Sequence, residues 1–340
     1  MESVEVDAAR VRWRRLAATH AAVRLPADRL VQAGWGGLQD SAPRAALLAL
    51  HARVEDVAPN TWEDPSLVQI WFRWSDYVVP RADVGVFTRG ALPRDQQQVD
   101  ALEALAEEIV GVLDGGRADS REVAARLPRD LPPFAVRLAS PTGRIHIRWD
   151  ASRVEVMAAP PPSIDDEAAR IELARRFLHW LGPADAQQFA KWTKVSQRDA
   201  KATFAALADE LAPVTFAGRR CWLLAGDVDD LVEAVPPKGV RLLPMGDPCL
   251  YLGDDQPPSP SPQPLDAAAK VTKRLVNSFT GRVVVDGEVV GAWGRVKGDV
   301  TLDPWPTLGT RYEADVERET ASFAGPIGAP IRSRWLPRRR

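Results

Sequence analysis

The chain has 340 residues, of which 45% are hydrophobic and 26% are charged, a composition typical of globular proteins. Its formal net charge of -2 does not indicate a generally basic surface, so any phosphate-facing patch must be local. No apolar run reaches membrane-spanning length, and the acidic N-terminus has no apolar leader region. We therefore expect a cytoplasmic protein of two or three domains that does not associate with membranes.

The cysteines and histidines indicate no metal centre. The chain has only two cysteines, Cys221 and Cys249, and their spacing fits neither a disulfide framework nor a zinc site. Its histidines occur singly, and we interpret them as packing or surface residues: His20, His51, His146 and His179. The sequence thus predicts a reducing compartment, no metal and no cofactor.

A polar triplet, Gln39-Asp40-Ser41, precedes a strongly apolar segment in the first part of the chain. Because Ser41 is a favoured N-cap residue and Pro43 a favoured first-turn residue, we predict a helix over 43–54. Gln39 and Asp40 then lie just outside the helix N-terminus, a position suited to chemistry. The alternative is that the triplet only caps the helix.

Helices followed by a strand pair recur three times along the chain. The first set has predicted helices at 11–23, 28–34 and 43–54 and β segments at 67–80 and 82–87. The second has a long helix ending at 112, helices at 120–126 (with Ser120 as cap) and 133–139, and a hairpin of 144–149 with 154–157. The third has helices at 166–181, 185–192 and 197–211, the last capped by Ser196, and a hairpin of 214–216 with 221–224.

This order of elements is that of winged-helix domains, in which the third helix enters a DNA groove and the hairpin touches the backbone. We predict an α+β fold of three tandem winged-helix units followed by a C-terminal β-rich region. The predicted boundaries are 8–92, 93–160 and 164–235 for the three units, 240–306 for the β-rich region and 307–340 for a C-terminal extension.

The C-terminal part is mostly β in pattern. A β segment at 240–244 precedes a Pro- and Ser-rich loop at 253–264 and a helix at 267–275. Two alternating runs around Asp286-Gly287 predict a hairpin, and 294–297 pairs with 300–302. The hairpin tip either inserts into a DNA groove or is only a turn.

Several motifs occur in an order that resembles the winged-helix DNA-binding proteins that include the AlkZ- and YcaQ-type DNA glycosylases. The resemblance runs from about residue 10 to 305, and its motifs are Gly37-Leu38-Gln39 with 43–50, 177–183 with 189–192, 218–225, 242–248 and 285–293. It implies hydrolysis of the N-glycosidic bond of an alkylated purine, typically N7-alkylguanine, including crosslinked forms, by a monomer acting on duplex DNA.

The catalytic signature of that family is Gln, one spacer, then Gln or Asp. Gln39 matches the first position and Asp40 the spacer, whereas Ser41 stands where the second Gln or Asp is expected. In a second family element, which ends in His, this chain has Tyr77. The resemblance implies that Gln39 holds the water, that Ser41 orients it and that Asp40, or alternatively Asp76, supplies a carboxylate.

Candidate DNA contacts lie in the motifs and on the predicted recognition helix. They are Arg44, Arg73, Lys191, Lys194, Arg198, Lys201, Asp286, Gly287 and Arg295. Arginine clusters near both ends of the chain are either phosphate-facing surfaces or solvated faces and tails: Arg10, Arg12, Arg14, Arg15, Arg332, Arg334, Arg338, Arg339 and Arg340.

Three functions compete at this point. The first is a monofunctional DNA glycosylase, which the triplet and the resemblance favour. The second is a non-catalytic DNA-binding protein, a regulator or lesion sensor, which the altered triplet favours. The third is a protein-interaction scaffold that binds no DNA, which the near-neutral charge permits.

Overall fold

A computed structural model describes residues 3–255 and 281–338. The helix predicted at 267–275 and most of the loop at 253–264 lie outside these residues. The α-helices that are described are α1 Ala8–Ala18, α2 Leu30–Ala33, α3 Ala45–His51, α4 Val84–Arg89, α5 Gln96–Leu113, α6 Ser120–Arg126, α7 Asp166–Leu181, α8 Ala186–Thr193, α9 Gln197–Ala206, α10 Val228–Val232, α11 Glu313–Ala321 and α12 Ala324–Ile327. Within the described ranges, none is both long and apolar enough to cross a membrane.

The strands form three sheets. In chain order they are β1 Val4–Val6, β2 Leu38–Gln39, β3 Leu67–Phe72, β4 Ser75–Pro80, β5 Arg117–Asp119, β6 Ile145–Trp149, β7 Val154–Ala158, β8 Leu211–Phe216, β9 Arg219–Leu224, β10 Val240–Leu243, β11 Gly281–Val285, β12 Glu288–Val296, β13 Asp299–Pro304 and β14 Arg332–Trp335. The strand orders are β2-β4-β3-β6-β7-β5, β1-β8-β9 and β10-β11-β12-β13-β14.

The sheets connect segments that the sequence places in different units. The hairpins β3–β4 and β6–β7 join one six-stranded sheet through the pairing of Gln69 with Ile147. Strand β1 runs parallel to β8, so the N-terminus completes the sheet of the third predicted unit. Strand β14 likewise pairs with β13, which places the C-terminal extension in the last sheet. These pairings join segments far apart in sequence, which local patterns do not specify.

The largest core holds the edge of the six-stranded sheet against α7, α8 and α9. Its centre is an aromatic cluster in which Phe72, Phe177 and Phe189 surround Trp192, with ring centroids 5.2–6.3 Å apart. All four side chains are buried. Such packing fixes the position of β4 and of the short strand β2 beside it.

Most predicted elements are confirmed, with local corrections. The helices predicted at 11–23 and 197–211 end at Ala18 and Ala206, and Leu211 begins β8. The segment predicted as a strand at 82–87 forms α4, because as a helix it buries Val84, Phe87 and Thr88 together. The helix predicted from 43 begins at Ala45, since Arg44 is left-handed with a φ of 66°. Helix α6 is capped by Asp119 and not by the predicted Ser120, whereas the predicted cap of α9, Ser196, accepts from the Asp199 N–H.

Candidate active site and nucleic-acid interface

The triplet lies at the edge of the six-stranded sheet. Leu38 and Gln39 form β2, in which Gln39 pairs with Tyr77, and the Asp40 N–H donates to the Asp76 carbonyl at 2.7 Å. Ser41 does not cap α3 as predicted, because the chain turns away for several residues before the helix begins. The triplet is therefore a strand end, with successive side chains on opposite faces.

Gln39 belongs to a directional chain of hydrogen bonds. The Arg73 guanidinium donates to the Tyr77 hydroxyl, which donates to Oε1 of Gln39 at 3.1 Å. Nε2 of Gln39 then donates to Oγ of Ser41 at 2.8 Å. Burial, opposed by Arg73, raises the pKa of Tyr77 to about 12, so this hydroxyl keeps its proton. Hence the amide is fixed in one orientation, and half-exposed Ser41 retains its own proton for a further acceptor.

Asp40 points away from this chain. Only 1% of Asp40 is exposed, and its carboxylate accepts from the Ala46 N–H at 3.0 Å and from Nε2 of Gln69 at 2.7 Å. Nη1 of Arg44 lies 3.7 Å away. Asp40 thus does not face Gln39: adjacent residues of a strand end face opposite ways, and this one accepts from the buried start of α3.

Asp76 is the second predicted carboxylate, and it is also buried. It is 6% exposed, and its Oδ1 lies 3.5 Å from Nη1 of Arg137. Burial, opposed by the charge of Arg137, raises the pKa of Asp76 to about 6. Because Asp76 neighbours Tyr77 in β4, its side chain leaves the face opposite to the Tyr77–Gln39 pair. Within the strand ladder, neither carboxylate is on the Gln39 face.

We predict that Asp40 makes the free energy of unfolding depend measurably on pH. Burial raises its pKa from 3.8 to about 7, although Ala46, Arg44 and Gln69 oppose this. Since the native state binds the proton more tightly than the unfolded chain, this stabilisation is fully present below about pH 4 and is lost as the pH rises through about 7. At about 1.4 kcal/mol per pKa unit, the loss is on the order of 4 kcal/mol.

Denaturant unfolding between about pH 4 and 8 tests this prediction by comparing the wild type with Asp40→Asn. The variant is expected to lack the pH-dependent stabilisation that Asp40 provides. The difference between the free energies of unfolding of the wild type and the variant should therefore change between about pH 4 and 8. The same substitution at exposed Asp28 is the control. A wild type and an Asp40→Asn variant with parallel pH profiles would contradict the assignment.

Sequence reasoning missed the turn that holds Gln39 from the other side. Gly246 has a φ of +78°, and a Cβ there would lie 2.7 Å from Oε1 of Gln39. The next residue, Asp247, forms two hydrogen bonds of 2.7 and 2.8 Å with the Arg53 guanidinium. The motif 242–248 contains this turn, but nothing in its spacing indicates that it packs against Gln39.

Four predicted DNA contacts form one exposed basic ridge. Helices α8 and α9 are joined by a three-residue turn in which Lys194 is left-handed with a φ of 69°. All four side chains are exposed, and within the described ranges none is in an ion pair: Lys191, Lys194, Arg198 and Lys201. Two helices with a short turn and free cations form the arrangement that helix-turn-helix proteins place on DNA.

Other predicted contacts are bound within the protein, namely Arg44, Arg73 and Arg295. The Arg44 guanidinium lies 3.9 Å above the centre of the Trp62 ring and donates to the Trp149 carbonyl. Arg295 donates to the Pro43 carbonyl at 2.7 Å, so it braces the loop that follows the triplet. We therefore interpret these arginines primarily as supports of the site.

The Asp286-Gly287 turn forms the predicted hairpin, and its tip also contacts other parts of the protein. The Asp286 carboxylate accepts from the Gly239 N–H at 2.8 Å and from the Tyr312 hydroxyl at 2.7 Å. Gly287 is buried, and a Cβ on it would lie 2.7 Å from the Trp13 ring. Groove contact by this pair therefore stays a prediction, with Gly287 covered by Trp13 of α1 and Asp286 only partly buried.

The N-terminal arginine cluster is likewise structural. Arg12, Arg14 and Arg15 are at most 8% exposed. Arg14 pairs with Asp227 at 2.8 Å, and Arg15 pairs with Asp254 at 2.7 Å. Three buried cations with internal partners do not form a phosphate-facing surface, so this alternative is excluded for them.

A basic helix pair beside a fixed amide at a strand edge defines a class of protein: a DNA-binding protein with a candidate hydrolytic site. Comparison with known proteins agrees. The family model described as DNA glycosylase AlkZ-like matches residues 33–325. The chain belongs to this family of DNA glycosylases.

One relative is similar to this chain in sequence, and one solved structure is similar to it in fold. The chain is 28% identical over 271 residues, 72% of its own length and 70% of the relative's, to the interstrand DNA cross-link repair glycosylase of Streptomyces sahachiroi. Its fold matches the solved structure of Streptomyces sahachiroi DNA glycosylase AlkZ with a TM-score of 0.72 and 19% identity, covering 98% of this chain and 100% of that one. The α+β fold is thereby confirmed.

Proposed function

We propose that this glycosylase hydrolyses the N-glycosidic bond of N7-alkylated guanine, including crosslinked forms, in duplex DNA. The observation that carries the proposal is the hydrogen-bond chain that fixes the Gln39 amide beside Ser41. The Streptomyces relative is an interstrand DNA cross-link repair glycosylase, which supports the substrate class. An N7-alkylated purine is already cationic, so it leaves without a strong general acid.

The chemistry left to the protein is to place water and to tolerate a positively charged sugar. The Gln39 carbonyl, which already accepts from Tyr77, has a second lone pair for a proton of that water. Ser41 then provides a hydroxyl where the family has an amide or a carboxylate. In this proposal Asp40 and Asp76 touch neither sugar nor water, and they act only as buried carboxyl groups on the other face of the strand edge.

The larger arrangement is also part of the proposal. The three winged-helix units at 8–92, 93–160 and 164–235, with the β-rich region at 240–306, curve around the duplex, and the ridge of α8 and α9 faces the phosphates. We propose a monomer in the reducing cytoplasm, consistent with two cysteines that are both free and buried.

Release of the modified base tests the proposal directly. Purified protein is incubated with a duplex carrying a single N7-alkylguanine, and abasic sites are then cleaved and counted beside an unmodified duplex. We expect strand breaks at the lesion only. Tight binding of the lesion duplex without any base release from alkylated or crosslinked DNA would instead favour a lesion sensor.

We predict that the basic ridge sets the salt dependence of DNA binding. Replacing its four members with glutamine removes phosphate contacts: Lys191, Lys194, Arg198 and Lys201. Each lost contact makes the negative slope of log K against log salt shallower by about 0.9, since fewer counterions are released. Fluorescence anisotropy across a salt series measures this slope. Arg318→Gln, at a residue with a 76% exposed side chain on α11, is the matched control, and equal slopes for the two variants would refute the assignment.

A further inference from the structure

A large cleft is lined by Arg73 and by its neighbours in the β3–β4 turn. It has a volume of about 850 Å³ and opens between the β3–β4 turn and the α8–α9 turn. This volume falls within the range of about 300–1,000 Å³ that is usual for small-molecule pockets. Arg73 lines the cleft and also donates to Tyr77, which donates to Gln39, so one hydrogen-bond chain connects the cleft to Gln39.

The β3–β4 turn presents an exposed tryptophan at this cleft. Trp74 is 64% exposed, and both turn residues are left-handed, with φ of 56° at Arg73 and 63° at Trp74. Bulky residues rarely adopt this conformation, which costs on the order of 1 kcal/mol or more. The turn thus holds a large aromatic face in solvent, one residue before Ser75, whose Oγ is 3.5 Å from Nε2 of Gln39.

Two cations of the basic ridge line the same cleft. Lys194 and Arg198 have no ion-pair partner among residues 3–255 and 281–338. The acidic side chains of the cleft are already engaged: Asp95 caps α5 by accepting from the Gln98 N–H, and Asp199 lies 3.9 Å from Arg94. The lining has four cationic side chains (Arg73, Arg94, Lys194 and Arg198) against these two acidic ones, so the net charge of the cleft is positive, next to an aromatic face.

We propose that this cleft binds an unstacked nucleotide of the DNA, with its base on the Trp74 ring and its phosphate on Lys194 and Arg198. The inference depends on the proposed DNA substrate. An aromatic face beside cations is the combination that holds unpaired bases without sequence preference. Because Arg73 connects the cleft to Gln39 through the Tyr77 hydroxyl, the bound nucleotide neighbours the one at Gln39, and its removal from the stack opens the duplex there.

The experiment uses a duplex in which 2-aminopurine lies beside a tetrahydrofuran abasic analogue. The emission of 2-aminopurine reports its stacking, and the analogue has no base to be released, so the readout does not require catalysis. The variants are Trp74→Ala, Trp74→Phe, Lys194→Gln with Arg198→Gln, and, as a matched control, Phe134→Ala at another aromatic residue that is 61% exposed.

We expect wild-type protein and Phe134→Ala to change the emission equally. Trp74→Ala loses this change and binds the duplex about tenfold more weakly, as expected for one lost base stack, whereas Trp74→Phe retains part of both. The double variant weakens binding of this duplex more than that of an intact one. The inference is overturned if Trp74→Ala behaves as the wild type, or if Phe134→Ala shows the same loss. Absence of base release with a Trp74-dependent signal would refute only the catalytic proposal.

Discussion

Gln39→Ala is expected to lower the rate of base release by about 10²–10³-fold, the usual cost of removing one positioned hydrogen-bonding group from a hydrolytic site. The amide is held by Tyr77 and Ser41, so in the wild type it meets the water without reorganising. Alanine leaves that water with no fixed partner. The decrease should fall on kcat, because the amide contributes mainly at the reacting bond.

Single-turnover release of N7-alkylguanine measures the effect, with DNA binding measured separately. Gln32→Ala, at an exposed glutamine in α2, is the matched control and should keep the wild-type rate. Tyr77→Phe removes only the hydroxyl that donates to Gln39, so a smaller loss in kcat with an unchanged KM is expected. A folded Gln39→Ala variant with the wild-type rate would show that the water is held elsewhere.

Asp247→Ala is expected to lower the free energy of unfolding by about 3–5 kcal/mol, because it leaves the Arg53 guanidinium buried without its counter-charge. Both side chains are 0% exposed. Burial lowers the pKa of Arg53, but the charge and hydrogen bonds of Asp247 outweigh it, so the net pKa is raised. The bidentate pair also ties the Gly246 turn to α3, so activity should decrease together with stability.

Urea unfolding measures this loss of stability. Two further variants test whether the loss comes from leaving a buried charge without its partner. Asp315→Ala breaks an exposed pair of similar length, 2.7 Å to Arg318, and should change the free energy of unfolding by less than about 1 kcal/mol. Arg53→Met combined with Asp247→Leu removes both charges and should recover much of the stability. A loss for Asp247→Ala no larger than that for Asp315→Ala would contradict the prediction.

The sequence by itself determined the local elements and the family. The alternating runs around Asp286-Gly287 specify their hairpin, the Ser196 cap specifies the start of α9, and the spacing of apolar residues specifies α7. These features depend on contacts between residues near each other in the chain, which a pattern can encode. The sequence also indicated the four exposed cations of α8 and α9 as candidate DNA contacts.

Only the tertiary structure decided which way each polar side chain of the site points. Gln39 and Asp40 are adjacent, yet one meets Tyr77 and the other is buried against Gln69, because a strand alternates its faces and the β4 pairing fixes which face is inner. The partner of Arg53 lies 194 positions away. A buried charge needs a partner of opposite charge, and the fold can supply that partner from any part of the chain. The spacing of residues in the sequence therefore does not reveal the pair.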